Sequence, residues 1–280
     1  MMPITIYEVG PRDGLQNCEF SLSTDEKVNM IETLHGAGLT NIEVTSFVHP
    51  KRVPNLADAE EVVRRTRHLG DFAVLVPNEK GISRARDSGS VKFNVCFSPS
   101  GEFNVRNWGK QLDELYADYV EMLDGVEKGN IRVYVSCAFG CPFEGLPSDR
   151  QLMEVFEMGA NLGSTIVLCD TVGECYPSKL LQTLELTRGL DAEIALHLHE
   201  GVNDMFGNVE AAVNWGVTTF DASVAGLGGC PFMPNSKSNL STNKLIEWAN
   251  SRGYKTGVDL DGLAELTDWL NNKWISRVRW

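Results

Sequence analysis

Residues 4–17 read Ile4-Thr5-Ile6-Tyr7-Glu8-Val9-Gly10-Pro11-Arg12-Asp13-Gly14-Leu15-Gln16-Asn17. The first four form a short alternating apolar run with the period of a strand. An arginine and an aspartate stand side by side just after it. In a barrel of parallel strands the C-terminal strand ends carry the chemistry, so this pairing predicts both an architecture and a site.

Outward from that opening, short runs rich in β-branched and apolar residues recur along the chain. They span Ile4–Tyr7, Asn41–Thr45, Phe72–Val76, Val91–Phe97, Ile131–Cys137, Thr165–Cys169, Glu193–His197 and Thr218–Asp221. Amphipathic stretches of helical period separate them: Lys27–Ala37, Leu56–His68, Leu112–Val126, Gln151–Leu162, Ser178–Arg188, Val209–Trp215 and Asn243–Ser251. Ser23-Thr24-Asp25-Glu26 has the capping-box spacing that opens the first of these. Gly38, Gly163 and Gly216 stand where left-handed helix ends are expected. Strand followed by helix, eight times and without a hairpin signal, predicts an α/β fold, a (β/α)8 TIM barrel in a single domain. A doubly wound open sheet is the alternative. Residues 257–280 add a helical tail that packs on the barrel or on another subunit, with Trp269, Trp274 and Trp280 as a candidate contact in a homo-oligomer.

Composition bounds the function. The 280 residues are 42% hydrophobic and 22% charged, with ample material for one large core. A formal net charge of −13 argues against nucleic-acid or membrane-surface partners, which need a basic face. An anionic substrate must then be met by a local cationic spot or a metal. No stretch reads as a signal peptide or membrane span, which predicts a cytoplasmic protein. Seven scattered cysteines, an odd number, fit reduced thiols better than a disulfide framework.

Unusual polar residues fall at the predicted strand ends: Arg12 and Asp13 after the first, Glu43 in the second, Cys137 in the fifth, Asp170 after the sixth, His197 and His199 at the seventh. Two histidines at period two share a strand face, as metal ligands must, and Asp13 adds oxygen to nitrogen in the donor set. A glycine-rich loop, Ala225-Gly226-Leu227-Gly228-Gly229-Cys230-Pro231, follows the eighth strand; Asn239 comes just before the last core helix. The glycines lack the spacing of a phosphate cradle and read as a flexible lid carrying Cys230. Cys137 and Cys141 read as small packing thiols. His35, His49 and His68 read as structural. Asp170 is either an active-site carboxylate or the cap of the next turn.

Four segments, residues 9–17, Ile42–Val48, Ser136–Gly145 and Ser223–Phe232, closely resemble the motifs of the 3-hydroxy-3-methylglutaryl-CoA lyase family, a branch of the metal-dependent lyase and Claisen-enzyme barrels. The resemblance runs over nearly the whole chain. It implies a divalent cation, Mg²⁺ or Mn²⁺, held by Asp13, His197, His199 and Asn239; zinc, which favours a closed tetrahedral set, fits less well. It also implies a retro-Claisen cleavage of an acyl-CoA substrate, by default 3-hydroxy-3-methylglutaryl-CoA, to acetyl-CoA and acetoacetate. Arg12 would stabilise the enolate oxygen and Glu43 would orient Arg12. Asp13, His197 or Asp170 would take the hydroxyl proton, and Cys230 or His197 would return one to carbon. Gln16, Lys51, Arg52 and Asn107 are substrate-side residues by the same resemblance, with Asn104 and Arg106 beside the last. Lys51 and Arg52 are candidates for CoA phosphates, or else a solvated basic pair.

The sequence departs from the family at two places. Glu200-Gly201-Val202-Asn203-Asp204 stands where the family reads Asp-Thr-Tyr-Gly-Gln, and Asn243-Lys244 replaces an acidic pair. The first change is expected to alter the acyl pocket. Lys244 either meets an additional substrate anion or decorates a helix start. Cleavage of a citramalyl-CoA-like or longer-branched thioester, or of a free hydroxy acid, is therefore the alternative substrate reading. A non-catalytic binding barrel is the alternative outside enzymology.

Overall fold

The computed structural model describes residues 3–200, 203–228 and 238–275, with side chains as far as Lys273. Eight parallel strands close into a barrel in chain order. They are β1 (Thr5–Glu8), β2 (Asn41–Ser46), β3 (Ala73–Leu75), β4 (Lys92–Phe97), β5 (Ile131–Val135), β6 (Thr165–Cys169), β7 (Glu193–His197) and β8 (Thr219–Ala222). β8 closes on β1 through Thr5↔Thr219 to Glu8↔Ala222.

The helices between them are α1 (Thr24–Gly36), α2 (Ala59–Thr66), α3 (Glu79–Ser88), α4 (Gly101–Trp108), α5 (Leu112–Met122), α6 (Asp149–Leu162), α7 (Pro177–Glu185), α8 (Met205–Trp215), α9 (Thr242–Ser251) and α10 (Ala264–Ile275). Ser23 caps α1 as its spacing predicts: its side chain accepts from Glu26 N while Glu26 Oε2 accepts from Ser23 N at 2.8 Å. α3 and α4 are additions to the sequence reading. Gly81 interrupts the helical pattern of α3; a Cβ there would meet Pro77 Cδ at 2.9 Å and Phe47 O at 3.0 Å, so packing, not propensity, decides the residue. One glycine expectation fails. Gly163 ends α6 in extended backbone (φ −130°), and what demands glycine is the carbonyl of Ile131, 2.6 Å from where a Cβ would sit.

Alternation along the strands sorts two faces. Val74, Phe93, Val95, Val133, Ile166, Leu196 and Phe220 point outward into the layer between sheet and helices, each buried and contributing about 1.5–3 kcal/mol by leaving water. The opposite face lines the barrel axis, where only a small apolar cluster survives: Tyr134, Val167, Cys169 and Ala195, with Leu75 and Cys96 against it. The rest of the axis is polar. The tail helix α10 packs Leu266, Leu270 and Trp269 against the main core, and Lys273 pairs with Glu26 of α1. Among the described residues no helix is long and apolar enough to cross a membrane.

Candidate metal centre

The chain leaves β1 into a turn, Gly10–Gly14, fastened at one point: the N–H groups of Arg12, Asp13 and Gly14 all donate to Val9 O, at 3.1, 2.7 and 3.1 Å. Glycine is obligatory at both ends. A Cβ on Gly10 would lie 2.5 Å from Glu8 Oε1, and one on Gly14 would lie 2.9 Å from both Leu227 Cβ and Ser223 Oγ. The turn therefore seats against the loop after β8, and Arg12 and Asp13 are presented at the barrel mouth.

There, one ligand atom each from Asp13, His197 and His199 lies within 4.8 Å of the others. His197 Nε2 is 3.9 Å from Asp13 Oδ2. Asn239 joins the group: its Nδ2 donates to Asp13 Oδ2 at 2.9 Å, and its backbone bridges to His199. Among the described residues Asn239 Oδ1 is buried without a hydrogen-bond partner. A stranded carbonyl oxygen beside a carboxylate and two imidazoles is what a cation-binding set looks like before the ion arrives, because the ion supplies the missing partner. His199 Nδ1 stands 2.8 Å from the carbonyl oxygen of Asp170, an atom that can only accept. Its proton therefore sits on Nδ1, and its Nε2 lone pair is free to ligate.

Electrostatics keep Asp13 and His199 in ligating form, while on His197 burial, which lowers it, is outweighed by the hydrogen bond to Asp221 and the charge of Asp13, which hold the imidazole above its ordinary value. Burial alone would raise the Asp13 carboxyl, yet Arg12, the two imidazoles and the Asn239 hydrogen bond hold it at about 2. Burial and the neighbouring His197 lower His199 to about 4, so it is neutral across the physiological range. Arg12 donates from Nε to Glu43 Oε2 at 2.5 Å and from Nη1 to Asp13 Oδ1 at 2.6 Å. Among the described residues those are its only side-chain hydrogen bonds, and Nη2 remains for a ligand. Glu43, fully buried, is held in turn by Asn94 Nδ2 at 2.8 Å.

A pocket of about 790 Å³ opens over this cluster, lined by Arg12, Asp13, Gln16, His197 and His199 together with Phe103, Trp108 and Leu115. Arg52, Arg106 and Asn107 also line it. Lys51 does not; it is exposed, with its backbone N–H on His49 Nδ1, which matches the solvated reading. Asn104 is not a pocket residue either: both ends of its amide staple the backbone of Ser98. Asp170 departs furthest from an active-site role. Its two oxygens accept from the backbone N–H groups of Glu174 and Cys175, capping the turn, and it meets the site through its carbonyl alone. Burial raises that carboxyl to about 6. Cys137 and Cys141 are buried thiols packed with Phe103. Cys230, the proposed proton donor, lies outside the described residues.

The departures from the family meet each other. Lys244 Nζ pairs with Glu200 Oε1 at 2.8 Å, Asn203 donates to Glu174 O, and Asp204 caps α8. Asn243 accepts from the N–H of Ala225, a residue in left-handed backbone (φ 58°). Among the described residues none of these side chains lines the pocket; residues 201–202 of this loop lie outside the described residues.

Sequence reasoning missed the groups behind the site. Asp221 Oδ2 lies 3.1 Å from His197 Nδ1, and its Oδ1 accepts from Arg132 Nη2 at 2.6 Å. The Arg132 guanidinium stacks on Tyr7 at 3.6 Å, and Asn94 Nδ2 reaches the Tyr7 hydroxyl at 3.3 Å. The available signal was a charged residue inside an otherwise apolar strand, present in both β5 and β8.

Known proteins resemble the chain along its whole barrel. The HMGL-like family matches it over residues 3–270. A hydroxymethylglutaryl-CoA lyase of Pseudomonas mevalonii is 38% identical over 273 residues, 95% of this chain and 91% of that protein. An (R)-citramalyl-CoA lyase of Chloroflexus aurantiacus is 33% identical over 97% of this chain and 91% of its own length. The solved structure of an HMG-CoA lyase from Acinetobacter baumannii in complex with coenzyme A and 3-methylmalate superposes with a TM-score of 0.89, at 35% identity, covering 96% of this chain and 90% of that one. Matched in sequence and in shape from the first strand to the tail helix, this chain belongs to the HMGL-like family.

Proposed function

We propose that this protein is a carbon–carbon lyase that uses a divalent cation, Mg²⁺ or Mn²⁺, to cleave 3-hydroxy-3-methylglutaryl-CoA to acetyl-CoA and acetoacetate. The observation that carries the reading is the stranded, buried Oδ1 of Asn239 next to Asp13, His197 and His199, with Arg12 beside them at the floor of the pocket. Relatives named as lyases of this thioester support it. Asp13, His197, His199 and Asn239 would hold the cation, an oxygen-and-imidazole set suited to a hard ion. When bound, such a cation supplies Lewis acidity and fixes two substrate oxygens relative to the bond that breaks.

The chain's own groups do the rest. The tertiary hydroxyl loses its proton, the bond from that carbon to the thioester's α-carbon breaks, and the electron pair passes into a thioester enolate. Arg12, pinned at Nε and Nη1, presents Nη2 to the oxygen on which that charge gathers. Asp13 is the candidate to take the hydroxyl proton, since the one free lone pair of His197 goes to the cation; the Asp170 carboxylate is committed to backbone N–H groups. Cys230 returns a proton to the enolate carbon. Trp108, Phe103 and Leu115 give the pocket an apolar lining, and Arg52 with Arg106 gives it cationic edges for an anionic carrier. We place the protein in the cytoplasm on its composition, and as a homo-oligomer on Trp274 and Trp280 of the tail sequence, Trp269 being packed against the chain's own core.

A second reading, cleavage of a citramalyl-CoA-like thioester to acetyl-CoA and pyruvate, is favoured by the (R)-citramalyl-CoA lyase relative. Purified protein with Mg²⁺ or Mn²⁺ and each thioester in turn decides. Acetoacetate with acetyl-CoA from the first substrate supports the proposal, pyruvate supports the second reading, and no turnover of any 3-hydroxyacyl-CoA refutes both.

A further inference from the structure

The groups behind the metal set form a circuit inside the barrel. From Asp13 it runs to Arg12, Glu43, Asn94 and the Tyr7 hydroxyl; from the Tyr7 ring to Arg132, Asp221 and His197; and back to Asp13. Two guanidinium groups against three carboxylates leave it with one negative charge in excess before the imidazoles are counted. Asp221 is the member that touches the metal set from below. Its side chain is fully buried, Arg132 occupies one of its oxygens, and the other faces His197 Nδ1.

We infer that Asp221, braced by Arg132, is a positioning residue for the metal centre: it fixes the Nδ1–H tautomer and the ring plane of His197 and so sets the affinity for the cation. The inference rests on the metal reading of the site given above. The argument is geometric. A carboxylate oxygen at 3.1 Å accepts and cannot donate, so the His197 proton resides on Nδ1 and the Nε2 lone pair is turned toward Asp13. Arg132 could not do this alone, since it offers only donors. Nor could Asp221 hold its position unaided, because a lone buried carboxylate would draw in water or a proton. The pair supplies on His197 what the Asp170 carbonyl supplies on His199, with the additional pull of a full charge.

The test separates positioning from simple stability. Asp221→Asn leaves Arg132 buried and unpaired, and its loss of stability would confuse the result. Asp221→Asn/Arg132→Gln removes both charges together. Mn²⁺ binding is followed by electron paramagnetic resonance, without thioester, in wild type and both variants. The expected result is that the double variant recovers most of the thermal stability the single variant loses, yet still binds Mn²⁺ about 10–100-fold more weakly than wild type. Affinity within threefold of wild type in the double variant overturns the inference while leaving the lyase reading standing. A wild type that binds no Mn²⁺ overturns both. A second measurement needs no variant: the chain has only five histidines, so ¹⁵N spectra of the metal-free protein at alkaline pH resolve their tautomers. His197 and His199 should both appear as Nδ1–H, with His199 as the internal standard, and His197 as Nε2–H refutes the mechanism.

Discussion

Removing the stranded oxygen of Asn239 separates a ligand from a structural residue. In Asn239→Ala the metal-free protein loses one hydrogen bond, Nδ2 to the ionised Asp13 carboxylate, worth about 1.5–3 kcal/mol. It also loses a buried acceptor with no partner, whose desolvation costs about 1–3 kcal/mol. The two nearly cancel, so the apo melting temperature should hold. The metal-bound state behaves otherwise. At a free Mn²⁺ concentration of about 100 Kd the ion stabilises wild type by about 2.7 kcal/mol; a 100-fold weaker site at the same concentration keeps only about 0.4 kcal/mol. At about 2–3 °C per kcal/mol for a domain of this size, the metal-induced shift falls from about 5–8 °C to about 1 °C. Differential scanning calorimetry with and without Mn²⁺, in both proteins, reads all four values. A large apo destabilisation with an unchanged metal shift would refute the reasoning, because Asn239 would then be holding the loop rather than the ion.

Arg12→Lys replaces a fork that serves Glu43, Asp13 and a ligand with one ammonium; kcat should fall about 10²–10³-fold with Mn²⁺ affinity changed much less, and steady-state kinetics within threefold of wild type would contradict the role. Gly14→Ala forces the turn off Leu227 and Ser223 at a cost of about 1–3 kcal/mol, with kcat falling at least tenfold; an unchanged melting curve and rate would show that the two loops need not touch. Glu8 predicts a pH dependence. Burial raises its carboxyl from 4.5 to about 7 in spite of hydrogen bonds from Thr242, Val224 and Gly10. A carboxyl that binds its proton more tightly when folded contributes stability in full below about pH 4.5 and loses it as the pH climbs through 7. Glu8→Gln should therefore flatten the fall in unfolding free energy between those limits, and an identical slope in urea titrations would refute the assignment. Lys244→Ala breaks only an exposed pair, and should change stability by less than about 1 kcal/mol and leave kcat and KM as they are.

What could be read from the sequence followed from local period and strand ends. The strands from Thr165 and Glu193 are bounded as their β-branched runs predict, because a strand buried on both faces is apolar throughout. Arg12, Asp13, His197 and His199 were visible because charge at a strand end has no packing reason to be there. α3 was hidden by Gly81, whose presence is dictated by Pro77 and the Phe47 carbonyl, contacts that only the closed fold creates. The interior circuit was hidden for a related reason. Arg132 and Asp221 are 89 residues apart, as Asn94 and Tyr7 are 87, and each looks anomalous in its own strand until its partner is known. Asp170, which the sequence left open between an active-site carboxylate and a turn cap, stands beside the site with its carboxylate on the backbone of its own loop.

The circuit of charges along the axis also bears on how such a protein diversifies. No member can be exchanged singly without stranding its neighbour in a medium that tolerates no lone ion, so the floor of the barrel changes only by concerted replacement. Innovation in what is accepted is thereby pushed outward, onto the rim, where Asn243 and Lys244 stand in the first turn of α9 in place of the family motif's acidic pair.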